Sequence, residues 1–209
     1  MAEKRSDDMT LAPERPATQA PETAGLIDIA ELVFQNFPGH RAEILGGQLT
    51  VTPPADGPHG ESLTAIMAPL MACGLHRDET RIIQAIGIWL PTGDDDYAVP
   101  DLAVVDADYR DHHAQYNCYD PAVFRLVLEI TSSNRSDDLL KKPGAYAHAG
   151  VPVYVIGDRR AREVVVLTDP RGDEYRSRSL YRPGETFKLP ASVGAVVELE
   201  VDAVLGPER

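Results

Sequence analysis

Apolar residues recur along this chain with two different periods, and the switches between them divide it into elements. Leu26, Ile27, Ile29, Ala30, Leu32, Val33, Phe34 and Phe37 repeat with helical spacing, and Pro38-Gly39 stops the run. Residues 41–45 and 48–52 flank Gly46-Gly47, a two-residue loop suited to a tight hairpin, with Glu43 in mid-strand. After the turn Pro53-Pro54-Ala55-Asp56-Gly57, residues 59–73 place Leu63, Ile66, Met67, Leu70 and Met71 on a helical stripe bent at Pro69. Residues 81–90, rich in Ile and carrying Trp89, read as one strand under the core; residues 97–105 read as a second, with Pro100 marking an irregular or edge position. Residues 106–121 read as a polar loop.

The stretch from Phe124 to Tyr154 organises the rest. Phe124, Leu126, Val127, Leu128 and Ile130 form a fully buried strand, a Ser/Asn/Asp turn follows, then a helical segment and a second apolar strand. Residues 163–167, 175–181 and 186–189 add short strands and an antiparallel extension. The pattern predicts an α/β (α+β) fold, a central mixed sheet flanked by helices with additional antiparallel C-terminal strands.

Length and composition set limits on this picture. With 209 residues, 43% of them hydrophobic, the chain predicts a single domain over residues 26–209. Residues 1–25 mix Pro, Ala, Thr, Glu and Arg with few large apolar side chains and read as a disordered tail. Cys73 and Cys118 form no metal or disulfide pattern, and no apolar run approaches the roughly 20 residues of a membrane span. A cytoplasmic protein without a membrane partner is expected. A net charge of −13 argues against tight, metal-free binding to nucleic acid, yet suits a metalloenzyme whose carboxylates belong to the acid excess.

Two carboxylates stand inside apolar strands, Asp101 after Pro100 and Glu129 between Leu128 and Ile130. Such anions repel unless they share a proton or a cation, and hard oxygen ligands suit Mg²⁺ or Mn²⁺. Asp138, Lys142 and Tyr146 follow at i, i+4 spacing, which aligns them on one helical face; Pro143 is expected to distort the turn before it. Several of these groups also have plain structural readings. Tyr146 suits a core, His59 a solvated helix start, Ser132 and Ser133 a helix cap. Asp106, Asp108, Asp111, His112 and His113 suit a solvated loop, and Glu129 suits an ion pair with Lys142 or Arg125.

Taken in order, Pro100-Asp101, Glu129, Asp138, Lys142, Tyr146 and Gly150-Val151-Pro152-Val153-Tyr154 resemble the PD-(D/E)XK restriction-endonuclease-like superfamily, and within it the Uma-type endonucleases. The resemblance spans about residues 41–158 and implies a restriction-endonuclease-like core. It implies an Mg²⁺- or Mn²⁺-dependent hydrolase acting on DNA, with Asp101 and Glu129 as metal ligands. Glu43, Lys142 and the supporting positions His59, Asp138, Tyr146 and Ile130 complete the implied site. Thr131 stands where the superfamily usually has its lysine, so the resemblance gives that role to Lys142. Three alternatives remain at this stage. A non-catalytic binding or assembly module would explain Thr131 and the acidic surface, a homodimer is open, and a metal-free glycoside hydrolase lacks an aromatic platform because Trp89 is the sole tryptophan.

A chain starting near Leu26 is expected to melt within a few degrees of the full-length protein, because the first segment has too little apolar surface to pack. Thermal denaturation of the two forms checks this; a larger fall in the truncated form would show that the tail packs.

Overall fold

In the computed structural model, residues 25–131 and 135–206 are described. The expectations for a tail before Gly25 and for Ser132 and Ser133 fall outside them. Helix α1 (Leu26–Asn36) leads into the hairpin β1 (Arg41–Leu45) and β2 (Gln48–Thr52), with both loop glycines at positive φ as a tight turn requires. Helix α2 (Gly57–Ala72) is capped by the Asp56 carboxylate, which accepts from the His59 N–H. Then come β3 (Thr80–Gln84), β4 (Gly87–Trp89), β5 (Tyr97–Ala98) and β6 (Leu102–Asp106), followed by β7 (Cys118–Tyr119) and β8 (Phe124–Ile130). A π-helical turn (Asp137–Lys141) opens α3 (Lys142–His148), which leads to β9 (Val153–Asp158), β10 (Glu163–Arg171) and β11 (Glu174–Tyr181). The hairpin β12 (Thr186–Leu189) and β13 (Val197–Glu200), with the short helix α4 (Val201–Leu205), closes the described chain.

The strands form a six-stranded sheet in the order β11-β10-β9-β8-β6-β3, a five-stranded sheet in the order β2-β1-β5-β4-β7, and the β12-β13 pair. In the six-stranded sheet β8 and β9 run parallel and every other pair is antiparallel. The parallel pair is joined through α3, as the strand, crossover and strand reading requires. Alternation along the strands divides the core: Leu102, Val104, Leu126, Leu128, Val153 and Val155 pack toward α2, α4 and the last hairpin. Ala103, Val105, Val127, Tyr154 and Ile156 pack on the other face toward α3 and the five-stranded sheet.

Two expected strands are each split in two. Residues 81–90 turn at Ala85, which has φ of 51°, and pass from the six-stranded sheet into the five-stranded one. Residues 97–105 make the reverse passage through Val99-Pro100-Asp101. The two corners are bonded together, because the Ala85 N–H donates to the Asp101 carbonyl at 3.3 Å. Pro100 has no N–H to give a ladder, so the chain is out of both sheets there and joins the next at Leu102. Asp101 therefore occupies a corner rather than the interior of a strand.

Two more differences concern the loops. Residues 106–121 hold a 3₁₀ turn (Tyr109–His112) and β7, which pairs in parallel with β4. That pairing brings backbones so close that a Cβ on Gly87 would lie 2.6 Å from the Asn117 carbonyl oxygen. The strand β13 and the helix α4 were not expected; their short apolar runs carry too little periodicity to register.

Gly87→Ala is expected to destabilise the protein by about 1–3 kcal/mol, because the new methyl meets backbone that cannot rotate away. Urea denaturation measures it. An unchanged midpoint would mean that β4 and β7 are not held this closely.

Candidate active site

The chain's corner and its parallel strand pair meet at one place, and there the acidic groups gather. Glu129, on the buried β8, and Asp101, one residue before β6, are brought together by the β6–β8 register, in which Leu102 faces Leu128. The Asp101 N–H points to Glu129 Oε2 at 3.4 Å, and Asp101 Oδ2 accepts from the Ile130 N–H at 2.8 Å. Glu43 reaches the same place from β1, where its Oε1 accepts from the Val99 N–H at 2.8 Å and so holds the corner as well. Asp138 arrives from the π-helical turn.

Lys142 joins them. Its ammonium lies 2.7 Å from Glu129 Oε1, 3.0 Å from Glu43 Oε1 and 3.1 Å from Asp138 Oδ1, with only 2% of the residue exposed. The expected distortion before Pro143 is present as the π turn, in which the Lys142 N–H bonds to the Asp137 carbonyl. The wider turn accommodates a proline ring that would collide with the carbonyl four residues back in a regular helix. Asp138 and Lys142 meet nonetheless. Thr131 takes no part in this charge cluster: its hydroxyl accepts from the Arg159 N–H at 3.2 Å.

Tyr146 is a core tyrosine and a site neighbour at once, fully buried, edge-on to Tyr154, with its hydroxyl donating to Glu129 Oε1 at 3.2 Å. His59 is not solvated. It is buried on α2 with Nε2 3.2 Å from Asp101 Oδ1. The acidic loop stays peripheral, with Asp106 on Arg125 and Asp108 near His112.

Sequence reading missed Arg41. Its guanidinium donates to Asp101 Oδ1 at 2.8 Å and to the Val99 carbonyl at 2.6 Å. The signal was available, since Arg41 and Glu43 are two apart on one strand and so share a face.

The charges are unequally served. Burial opposes ionisation of Asp101, but the His59 hydrogen bond and the Arg41 guanidinium outweigh it and lower its pKa to about 2. Glu129 goes the other way, raised well above the usual carboxylate range by burial and by Asp101, Asp138 and Glu43, despite Lys142. Asp138 is raised to about 6, also mainly by burial. Burial pulls the Lys142 ammonium down, but its carboxylate neighbours prevail and it stays protonated. Relief of repulsion on neutralising a carboxylate therefore applies to Glu129 and not to Asp101.

The residues suit a divalent cation on charge and on donor type. Four carboxyl groups face Lys142 and Arg41, two more acids than bases. They border a cavity of about 210 Å³ lined also by His59, Thr52 and Ile130. Among the described residues no three His, Cys, Asp or Glu side chains converge as a full cage. Mg²⁺ does not require one, since it keeps several waters and is often held by one or two carboxylates.

The site thus sits on a six-stranded mixed sheet with a parallel pair at its centre, with buried acids and a lysine gathered beside the corner. A structure described as a putative nuclease belonging to DUF820, from Anabaena variabilis, matches with a TM-score of 0.65 at 15% identity, covering 88% of this chain and 98% of that one. The model of the family described as Uma2, putative restriction endonuclease, matches residues 29–202, and the chain belongs to that family. No curated protein matches the chain. Among the described residues no helix is long and apolar enough to cross a membrane.

Metal-free stability should respond in opposite directions to two isosteric changes. The folded pKa of Asp138 lies above its ordinary 3.8, so the fold holds a proton that the unfolded chain releases. Stability then falls as pH rises from about 4 to about 6, by on the order of 3 kcal/mol, and Asp138→Asn should remove that fall. Asp101 has the lowered pKa, so its contribution of about 2 kcal/mol is present above pH 4 and lost as pH drops toward 2. Asp101→Asn should destabilise at pH 7. Urea titrations in chelator from pH 4 to 7 read both, and shifts of the same sign at pH 7 would contradict this charge distribution.

Proposed function

We propose that the protein is a divalent-cation-dependent endonuclease that hydrolyses phosphodiester bonds in DNA. The observation that carries this reading is the buried meeting of Asp101 and Glu129 beside Lys142, where acids outnumber bases. Family membership supports it. Asp101 and Glu129 would hold Mg²⁺ or Mn²⁺, and the bound ion supplies an activated water and neutralises charge on the phosphate.

The chain's own residues prepare that place. Arg41 and His59 fix the Asp101 carboxylate from one side while the Ile130 N–H fixes it from the other. Lys142 and Tyr146 hold Glu129 Oε1 and leave Oε2 on the side of Asp101. Glu43 ties the ammonium to the corner through Val99. The ammonium sits where it offsets negative charge developing on a phosphate at the cavity, and Asp138 keeps it there.

One observation favours a second reading. Each of the three N–H bonds of the Lys142 ammonium faces a carboxylate, so it reaches a phosphate only by giving one up. A nuclease-fold module that binds or assembles without cleaving would keep all three.

Cleavage of plasmid, single-stranded and branched DNA, with and without Mg²⁺ or Mn²⁺, separates the two. Glu129→Gln should abolish Mn²⁺ binding in calorimetry together with cleavage, while circular dichroism stays native. Lys142→Met should lower turnover by roughly 10²-fold or more. Lys141→Met serves as the control, because Lys141 is largely exposed and pairs with Asp137 and Gln48. No cleavage of any substrate by the parent with either metal, or unchanged cleavage in both lysine variants, would favour the non-catalytic module.

A further inference from the structure

Beside the acid cavity lies a larger groove of about 960 Å³. Arg41, His59 and Asp101 line both, so the two spaces meet at the metal-side carboxylate. The walls of the groove are mostly apolar, contributed by Ile27, Ala30 and Phe34 of α1, Leu63 of α2, and the rings of Tyr97 and Tyr116. Its volume is at the upper end of pockets that take a nucleotide-sized ligand, about 300–1,000 Å³.

Tyr97 and Tyr116 line the groove, and both rings stack on Trp89, which is not itself one of the lining residues. Trp89 and Tyr97 are paired across β4 and β5, with ring centroids 6.3 Å apart and planes within 4°. Tyr116 also stacks on Trp89, at 6.3 Å and tilted 23°, and is exposed over 49% of its surface. The close β4–β7 pairing at Gly87 sets the segment carrying Tyr116 against Trp89.

A phosphate backbone is poorly served here. Arg41 is already engaged by Asp101 and the Val99 carbonyl. A flat, apolar ligand is well served: rings stack on rings, and His40, on the groove wall, has a buried Nδ1 without a hydrogen-bond partner among the described residues, open to the edge of such a ligand.

We infer that this groove takes an unpaired nucleobase against the Tyr116-Trp89-Tyr97 column, so that the site's substrate is single-stranded or locally unpaired nucleic acid. The inference rests on the nuclease reading for its choice of ligand. In an intact duplex the bases are stacked on one another and their faces are closed to such a column, whereas every unpaired base offers its face. A base seated in the groove brings the adjoining phosphate toward Asp101, where the two cavities join.

Trp89 is the only tryptophan, so its fluorescence reports directly on the column. The full chain, in chelator, is titrated with an oligothymidylate, with an abasic strand of equal length, and with a hairpin duplex. The oligothymidylate should quench Trp89 and bind about tenfold more tightly than the other two. Tyr116→Ala should weaken oligothymidylate binding about tenfold and leave abasic-strand binding unchanged. Equal affinity for all three ligands, or an unaffected Tyr116→Ala, overturns the inference. So does light scattering that shows a dimer which the oligothymidylate does not displace, since a second copy then occupies the groove. The nuclease reading fails separately: metal-dependent cleavage without this base preference sinks only the groove, and base binding without cleavage under any metal sinks only the nuclease.

Discussion

A lysine ammonium closed off from water among three carboxylates is the constraint on which this architecture turns. Lys142 contacts Glu43, Glu129 and Asp138, which come from β1, β8 and the turn before α3. A buried charge of either sign alone costs several kcal/mol, and removal of the lysine, the one cation among the three carboxylates, would typically destabilise by about 3–5 kcal/mol. The elements carrying these residues are therefore tied to one another through charge as well as through packing. Glu43 extends the tie to the corner at Val99, and the corner carries Asp101. What organises the acids also positions them.

The site depends equally on a topological event, the exchange of chain between two sheets. Both β3 to β4 and β5 to β6 pass from sheet to sheet, and a single backbone hydrogen bond, Ala85 to Asp101, ties the two passages. A corner exposes backbone groups that a ladder would consume, which is why the Asp101 N–H is free to point at Glu129. It also leaves a gap beside the sheet, and the apolar groove occupies it. Acid cavity and groove are two consequences of one break in the strands.

Local chemistry in the sequence was legible wherever a short-range rule governed it. Gly46-Gly47 fixed the first hairpin, Pro38-Gly39 the end of α1, and the apolar run with one glutamate fixed β8. Glu43, Asp101, Glu129, Asp138 and Lys142 could be named from pattern and resemblance, and they do come together. The split of residues 81–90 was hidden because Ala85, which adopts positive φ, is not a residue that announces a turn. Pro100 did announce a break, but an irregular strand and a change of sheet have the same local signature. Local pattern suits His59 to a solvated helix start and only the resemblance gives it a supporting place, because burial of a helix's first turn depends on which sheet edge it meets. Tyr116 lies in a segment that carries no periodicity, so its stacking on Trp89 belongs to tertiary structure alone.

The acidity of the whole chain takes on a narrower meaning once the site is seen. Distributed over the surface, a charge of −13 repels a polyanion. At the site the imbalance is local, divided between an aspartate that two cationic or donor groups keep ionised and a glutamate that burial holds toward its protonated form. Such a pair differs from two equal carboxylates. On the proposed reading Asp101 would bind a cation at any ordinary pH, whereas Glu129 would become a full ligand only as the cation offsets its burial. On the same reading the ion would reduce, at the one place where contact matters, the charge that discourages contact with nucleic acid, and the apolar groove beside it would hold a base without help from basic residues.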